Sequence, residues 1–136
     1  MSNNVVQVEA NQILAASVGK TAYTNPTAPV NLRLMTANGT NTSAGTEVTN
    51  AGGSTYAAQD TTGKWATPAS GSIATNAAIT FTNMPGTGGI TTNGIELWDS
   101  TGTPVRKWWG ALTTPKTTGL GDTLTFPSGS IVATLT

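Results

Sequence analysis

Apolar and polar side chains alternate along several short stretches of the chain. In residues 31–34, 79–82 and 123–126, each leucine, isoleucine or phenylalanine has a polar neighbour, most often threonine. A period of two is typical of half-buried antiparallel strands that carry threonine on the solvent face. The pattern predicts strands at 30–36, 45–49, 54–59, 78–82, 94–99, 105–112, 122–126 and 130–135.

Turn-forming residues separate the predicted strands. Glycine, asparagine and threonine dominate the connectors at 36–45, 50–53 and 84–89. Residues 60–77 have the composition of a long loop with at most one edge strand. Short strands joined by such turns favour an all-β fold. We predict an antiparallel β-sandwich, with a jelly roll and a barrel as the alternatives.

A helical period is found at the N-terminus. Residues 5–18 are predicted to be helical and to end before Gly19 and Lys20. The valine-rich start also allows a strand at 5–8 that runs into a shorter helix. The small and apolar stripe of this helix consists of Val6, Ala10, Ile13, Leu14 and Ser17. We therefore divide the chain into an N-terminal helix or arm (1–22) and a β-sandwich domain (23–136).

The composition indicates one domain with a modest core and a neutral surface. Of 136 residues, 37% are hydrophobic, and six acidic residues balance six basic ones. A neutral chain lacks the basic surface that dominates nucleic-acid affinity, so we expect no nucleic-acid partner. No apolar stretch is long enough for a membrane span, and the start does not resemble a secretory signal. Uncharged polar surfaces associate readily, which favours a homo-oligomer.

The sequence offers little for catalysis. Histidine and cysteine are absent, which excludes disulfides, the usual zinc sites, serine–histidine triads and cysteine–histidine dyads within this chain. Glu96 and Asp99 fall on opposite faces of a predicted strand, so they do not form a catalytic carboxylate pair. Gly63-Lys64 lacks the flanking residues of a phosphate-binding loop, and 99–103 has too few carboxylates for a calcium loop. We expect no enzyme, cofactor or metal, and a hydrolase is the remotest alternative.

Three of the four tryptophans lie in a predicted β-hairpin, residues 94–112. Strict alternation places Lys107 and Trp109 on one face of its second strand. It places Arg106 and Trp108 on the other face. Because neither face is then purely apolar, either both faces are covered or a bulge beside Lys107 and Trp108 resets the register.

The tryptophans allow two interpretations. Large aromatic side chains are mostly buried, which favours a structural role in which one ring of the Trp108–Trp109 pair fills the core. The other ring would cover a second layer or a neighbouring subunit. The alternative is a host- or glycan-binding module in which Trp98, Trp108 and Trp109 are stacking platforms.

Short motifs keep their order and spacing along nearly the whole chain. They are Gly19-Lys-Thr-Ala-Tyr-Thr24, Ala44-Gly-Thr-Glu-Val48, Tyr56-Ala-Ala-Gln59, Gly94-Ile95 with Asp99, Trp108-Trp-Gly-Ala-Leu-Thr113 with Pro115-Lys116, and Gly121-Asp-Thr-Leu-Thr-Phe126 with Ser128-Gly129. Together these motifs resemble a family of small virion proteins of tailed bacteriophages, which are labelled head decoration, minor capsid or tail-fibre-like proteins.

The resemblance implies a non-enzymatic structural protein of a phage virion. It implies first a capsid decoration or minor capsid protein on the capsid exterior, assembled in the host bacterial cytoplasm. Its partners would be the major capsid protein and copies of itself, in a homotrimer or another small oligomer. A tail or fibre protein is the alternative within the virion class. Residues 1–22 are expected to dock, and the candidate interface residues are Ala15, Ala16, Val18, Tyr23, Trp108 and Trp109.

Overall fold

The computed structural model describes residues 2–135, with the backbone alone at Ser2 and Asn3. Outside the described residues lie Met1 and Thr136, which are the outer ends of the predicted units 1–22 and 23–136. The boundary between those two units stays a prediction. The elements are β1 (Ser2–Val5), α1 (Gln7–Ser17), β2 (Asn31–Ala37), β3 (Thr46–Glu47), β4 (Gln59–Asp60), β5 (Ser72–Ala74), β6 (Ile79–Phe81), β7 (Ile90–Trp98), β8 (Arg106–Thr118), β9 (Leu124–Phe126) and β10 (Val132–Thr134).

The strands form one large sheet and two small ones. The large sheet has six strands in the order β1-β8-β7-β2-β3, and β4 also pairs with β2. β5 pairs with β10, β6 pairs with β9, and every pairing is antiparallel. Within residues 2–135 the large sheet ends at β1 and β3 without closing into a barrel. The predicted all-β antiparallel class with a short N-terminal helix is confirmed.

The core lies between the large sheet and the β6–β9 pair, in a sandwich-like arrangement. Leu32 and Leu34 of β2 are fully buried, as the alternating pattern predicts. The ring of Phe81 reaches them from the second layer and stacks on Tyr56 at 5.8 Å. The other buried members of this cluster are Val48, Ile79, Met84, Ile95, Leu97, Leu124, Phe126 and Ile131. Burial of this apolar surface is the main stabilising term of the fold.

Several strands differ in extent from the prediction. β7 and β8 extend past the predicted 94–99 and 105–112, because their threonine-rich ends pair with each other from Ile90–Thr118 onward. The predicted strand at 54–59 is wrong except at its last residue. In this segment the Tyr56 hydroxyl accepts a hydrogen bond from the Leu34 backbone N–H at 3.0 Å. A side chain, and not a ladder of backbone hydrogen bonds, therefore contacts β2. The predicted loop at 60–77 contains the last residue of β4, Asp60, and one complete short strand, β5.

The first described element is a strand that runs into a shorter helix, as one alternative of the sequence analysis allowed, but this strand spans residues 2–5 and not 5–8. β1 pairs with β8, with Val5 opposite Trp108, so the helix starts at Gln7 and not at residue 5. The helix ends where predicted, because Gly19 takes a left-handed φ of +71° and donates its N–H to Ala16 at 3.0 Å.

The inward face of α1 differs from the predicted stripe. Glu9 is 3% exposed and points to the protein interior, whereas Leu14 is 64% exposed and Ser17 is also on the solvent side. The predicted stripe is therefore not one buried face of the helix, because two of its members, Leu14 and Ser17, are exposed. The only charged residue of the helix is buried, and its largest aliphatic residue faces outward.

A bulge in β8 resets the alternation of the hairpin, as one of the two predicted alternatives requires. Leu97 lies opposite Trp108, but the next residue of β7, Trp98, lies opposite Arg106, which leaves Lys107 as an extra residue. The strict alternation expected from the sequence, which places Lys107 with Trp109 and Arg106 with Trp108, is therefore wrong. Lys107 shares a side of the sheet with Trp108 and contacts the same cavity, while Arg106 lies on the opposite side.

The opposite face of the large sheet is also covered. Glu96 is 1% exposed there and accepts the Arg106 guanidinium and the Gly45 backbone N–H, both at 2.8 Å. The guanidinium also donates to the Thr40 carbonyl oxygen at 2.6 Å. The loop 38–45 therefore folds over this ion pair and excludes it from solvent, so both faces of the hairpin are covered.

Close packing of that loop predicts a large difference between two glycines. An added methyl group at Gly39 would lie 2.6 Å from the Ser43 carbonyl oxygen and against Arg106 and Glu96, whereas at Gly102 it would have nothing within 4 Å. We expect Gly39→Ala to lower the free energy of unfolding by about 3 kcal/mol, because it overpacks a buried ion pair. Gly102→Ala should change it by less than about 0.5 kcal/mol. Urea denaturation measures both, and equal midpoints would contradict this packing.

Candidate functional site

A cavity of about 300 Å³ opens where α1, the hairpin and the segment 61–65 meet. The tryptophans at 65 and 108 both line it, together with mainly aliphatic side chains. A mostly apolar cavity with a few placed polar groups is the usual form of a ligand or contact site. Its lining residues are Glu9, Tyr23, Pro26, Ala28, Val30, Thr61, Thr62, Gly63, Trp65, Ile73, Leu97, Lys107, Trp108 and Ala133.

A buried charge cluster lies at this cavity. The Lys107 ammonium is 3.0 Å from Glu9 Oε2 and 3.8 Å from Asp99 Oδ2. The three side chains are 7%, 4% and 3% exposed, respectively. Removing one partner of a buried ion pair leaves an uncompensated charge, which costs about 3–5 kcal/mol. The cluster therefore joins α1, the end of β7 and β8 into one unit.

Each carboxylate of the cluster has further donors. The Tyr23 hydroxyl donates to Glu9 Oε1. Asp99 Oδ1 accepts the Val105 N–H at 2.7 Å, the Thr101 hydroxyl at 2.9 Å and the Thr101 N–H at 3.3 Å. Burial raises the pKa of Asp99, but the hydrogen bonds from Val105 and Thr101 and the nearby ammonium outweigh burial and hold this pKa below its usual value.

Local sequence features bring these groups together. Asp99 closes the hairpin turn through its side chain, which is a common role for aspartate beside a tight turn. The bulge at Lys107 places this residue on the cavity side, next to Trp108. The glycine stop after α1 turns the chain back, so that Tyr23 reaches Glu9.

The structure brings together only some of the predicted interface residues. Ala16, Tyr23 and Trp108 line one surface pocket of about 500 Å³ beside α1. Ala15 lines a different pocket, of about 410 Å³, on another side of the helix. Val18 is 78% exposed at the helix end. None of these positions has been tested as an interface, so their role stays a prediction.

The remaining tryptophans lie on the far side of the large sheet. The Trp98 indole donates to Glu96 at 2.9 Å, and the guanidinium of Arg33 stands 4.6 Å from the centre of its ring. The Trp109 indole donates to Asn41 at 3.0 Å. The Trp98 and Trp109 rings therefore lie on the other face of the sheet from Trp108, and the three rings form no common stacking platform.

Sequence reasoning missed Glu9 and Trp65 as members of the site. Trp65 lies in the segment predicted as a loop, where no period indicates which way a side chain faces. Glu9 carried one usable signal, since it is the lone charge in an otherwise uncharged helix. A lone charge on a helix indicates a specific partner, but it does not identify that partner.

The outer side of α1 is the other feature of functional interest. Val8 and Leu14 are 57% and 64% exposed, and the helix has no charge on this side. Among the described residues, no helix is long and apolar enough to cross a bilayer. The described residues also contain no group of three or more acidic side chains placed to hold a metal ion.

Both tyrosines of the chain should resist ionisation in the folded state. Burial, followed by the adjoining Glu9 carboxylate, raises the pKa of Tyr23, and burial is also the main cause that raises the pKa of Tyr56. Both folded pKa values exceed the unfolded value of about 10. The stability that the two protonated hydroxyls contribute is therefore complete below pH 10 and is lost as the pH rises above it. Absorbance titration should show no tyrosinate near pH 10–11 until the protein unfolds. The same titration in denaturant is the control, and early ionisation in the folded protein would contradict the environment described for Tyr23 at the site or for Tyr56 in the core.

Comparison with known proteins identifies a family for the chain. No curated protein sequence matches the chain. The family model described as podophage GP4 fiber I protein gp80 matches residues 4–134, which is nearly the whole sequence. The resemblance to small virion proteins of tailed phages is thereby confirmed. The chain belongs to this family of fibre-type structural proteins of phage virions.

Proposed function

We propose that the protein is a non-enzymatic component of the virion exterior that docks on the particle through the outer side of α1. The observation that supports this proposal is the inverted polarity of the helix. A surface helix ordinarily turns its apolar stripe inward and its charges outward. In α1 the single charge, Glu9, is buried and Val8 and Leu14 are exposed, as is Val18 directly after the helix.

The fold does not need these exposed side chains. The Glu9–Lys107 ion pair, at 3.0 Å, attaches α1 to β8. The strand directly before the helix, β1, also pairs with β8. Single exposed aliphatic residues are ordinary on a protein surface, but several of them grouped on one short uncharged helix favour a contact with another protein. Their burial on docking would contribute roughly 1.5 kcal/mol or more for each side chain.

The fibre is the location that we favour, because the family description names a fibre protein. Decoration of the capsid, with the major capsid protein as partner, is the second location. In both cases a subunit that binds only the assembled particle stabilises it by mass action. Copy number per particle separates them, since hundreds of copies would indicate the capsid lattice and a handful would indicate a fibre.

The docking face can be tested with Leu14→Ser combined with Val18→Ser. We expect particle binding to fall at least tenfold, because two apolar side chains no longer leave water on docking. Leu120→Ser is a matched control, since Leu120 is also exposed, at 44%, but lies outside α1. Both proteins should unfold at nearly the wild-type urea concentration. Unchanged binding by the double variant would refute docking through α1.

A glycan-binding role is a second candidate function, supported by the cavity between Trp65 and Trp108. Aromatic rings beside the Lys107, Glu9 and Tyr23 polar groups are suited to stack on a sugar and bind its hydroxyls. This pair replaces the Trp98–Trp108–Trp109 set expected from the sequence.

Sugar binding predicts a saturable change in tryptophan fluorescence when host surface glycans are added. The change should disappear in Trp65→Ala and Trp108→Ala, and it should persist in Trp98→Phe, which alters a ring on the far side of the sheet. If wild-type fluorescence does not respond to any glycan, the candidate is eliminated.

A further inference from the structure

The buried cluster of Lys107, Asp99 and Glu9 attaches α1 to the sheet, but docking through the outer side of α1 makes no use of the chemical reactivity of these groups. We propose that the side chains of Lys107 and Asp99 condense into an intramolecular amide, with Glu9 as the group that carries the protons. The reacting atoms are already close. Lys107 Nζ is 3.8 Å from Asp99 Oδ2 and 3.0 Å from Glu9 Oε2, and all three side chains are more than nine-tenths buried.

Asp99 is the acceptor because its two oxygens have different surroundings. Oδ1 is held by the Val105 N–H, the Thr101 N–H and the Thr101 hydroxyl, at 2.7 to 3.3 Å. Fixed donors of this kind stabilise the negative oxygen of a tetrahedral intermediate. The Oδ2 atom is the one that faces the ammonium, so it is the leaving oxygen.

Glu9 is placed to transfer protons. Its Oε1 accepts the Tyr23 hydroxyl, and its Oε2 is the nearest acceptor to the Lys107 ammonium. A carboxylate at hydrogen-bond distance can take a proton from nitrogen, and Glu9 and Asp99 both face the same Lys107 ammonium, at 3.0 and 3.8 Å, so the proton can pass to Asp99 after the amine has attacked. Glu9 itself is a poorer acceptor for the amide, because Tyr23 is its only described donor apart from the lysine.

The condensation balances without another reactant. Glu9 removes a proton from the ammonium, and the resulting amine attacks Asp99 Cγ to form the C–N bond. Glu9 then delivers this proton, and afterwards a second one from the nitrogen, to Oδ2. The Cγ–Oδ2 bond breaks and one water leaves. An ammonium and a carboxylate have become an amide, and Glu9 is again a carboxylate.

Two physical effects favour the reaction in the folded protein. Fixing the nucleophile and the carboxyl group in contact replaces an encounter in solution and gives a very high effective concentration. One ammonium here faces two buried carboxylates, so one negative charge of the cluster has no cation of its own. The amide converts one ion pair into an uncharged group and leaves Glu9 with the Tyr23 hydroxyl and the new amide N–H as donors. The resulting cross-link closes the hairpin turn between residues 99 and 107.

Intact-mass spectrometry of the purified, denatured wild-type protein tests the proposal directly. The expected mass is one water below the mass of the chain, and a branched peptide should join residues 99 and 107. A wild-type mass equal to that of the unmodified chain refutes the amide. This measurement needs no variant and no particle, so its outcome is independent of the docking proposal.

Variants identify the reacting groups. Lys107→Arg and Asp99→Ala should each have the mass calculated for their own unmodified chain. Lys64→Arg, which changes a lysine outside the cluster, should keep the deficit of one water. A deficit that persists in Lys107→Arg would come from dehydration elsewhere and would overturn the assignment. Glu9→Gln should fold, as judged by circular dichroism, and should have the full mass. Retention of the deficit in folded Glu9→Gln would refute the proton-transfer role of Glu9.

Discussion

Two consecutive cations of β8 are buried on opposite sides of the large sheet, and each has its own carboxylate. Arg106 pairs with Glu96 beneath the loop 38–45, and Lys107 pairs with Glu9 and Asp99 beside α1. A buried charge is tolerated only when it is paired and hydrogen-bonded. This requirement determines where the loop and the helix must lie, because each covers one of the two cations. The remaining architecture is a small β-sandwich around an aliphatic and aromatic core.

The polarity of α1 follows from the same constraint. The helix contains one charged residue, and that residue must face inward to reach Lys107. Helical geometry then turns Val8 and Leu14 away from the core. An element whose inward side is fixed by an ion pair is free to carry apolar residues outward, as a subunit that joins a larger particle requires. The orientation of the helix thus depends on a buried ion pair, and so does the outward placement of the apolar residues on which the docking proposal rests.

The candidate site was only partly predictable. The sequence pattern required either a bulge beside the tryptophan pair or a strand covered on both faces, and the structure has both features. The pattern also placed Glu96 and Asp99 on opposite faces of a strand, and in the structure they belong to different ion clusters. It did not identify the cavity between Trp65 and Trp108, because Trp65 lies in a segment without a period. The three-tryptophan platform failed because Trp98 and Trp109 bond to groups on the far face.

The amino-acid sequence by itself determined the features that have local causes. Alternation predicted the buried faces of β2, β6 and β9, and Gly19 ended the helix because its left-handed backbone conformation stops helical hydrogen bonding. Only the tertiary structure decided the partner of each buried charge and the orientation of α1. Glu9 and Lys107 are 98 residues apart in the chain, and no local period carries information about a contact over that separation. The strand β1 likewise exists because β8 offers it an open edge, which is a property of the assembled sheet and not of the residues in β1.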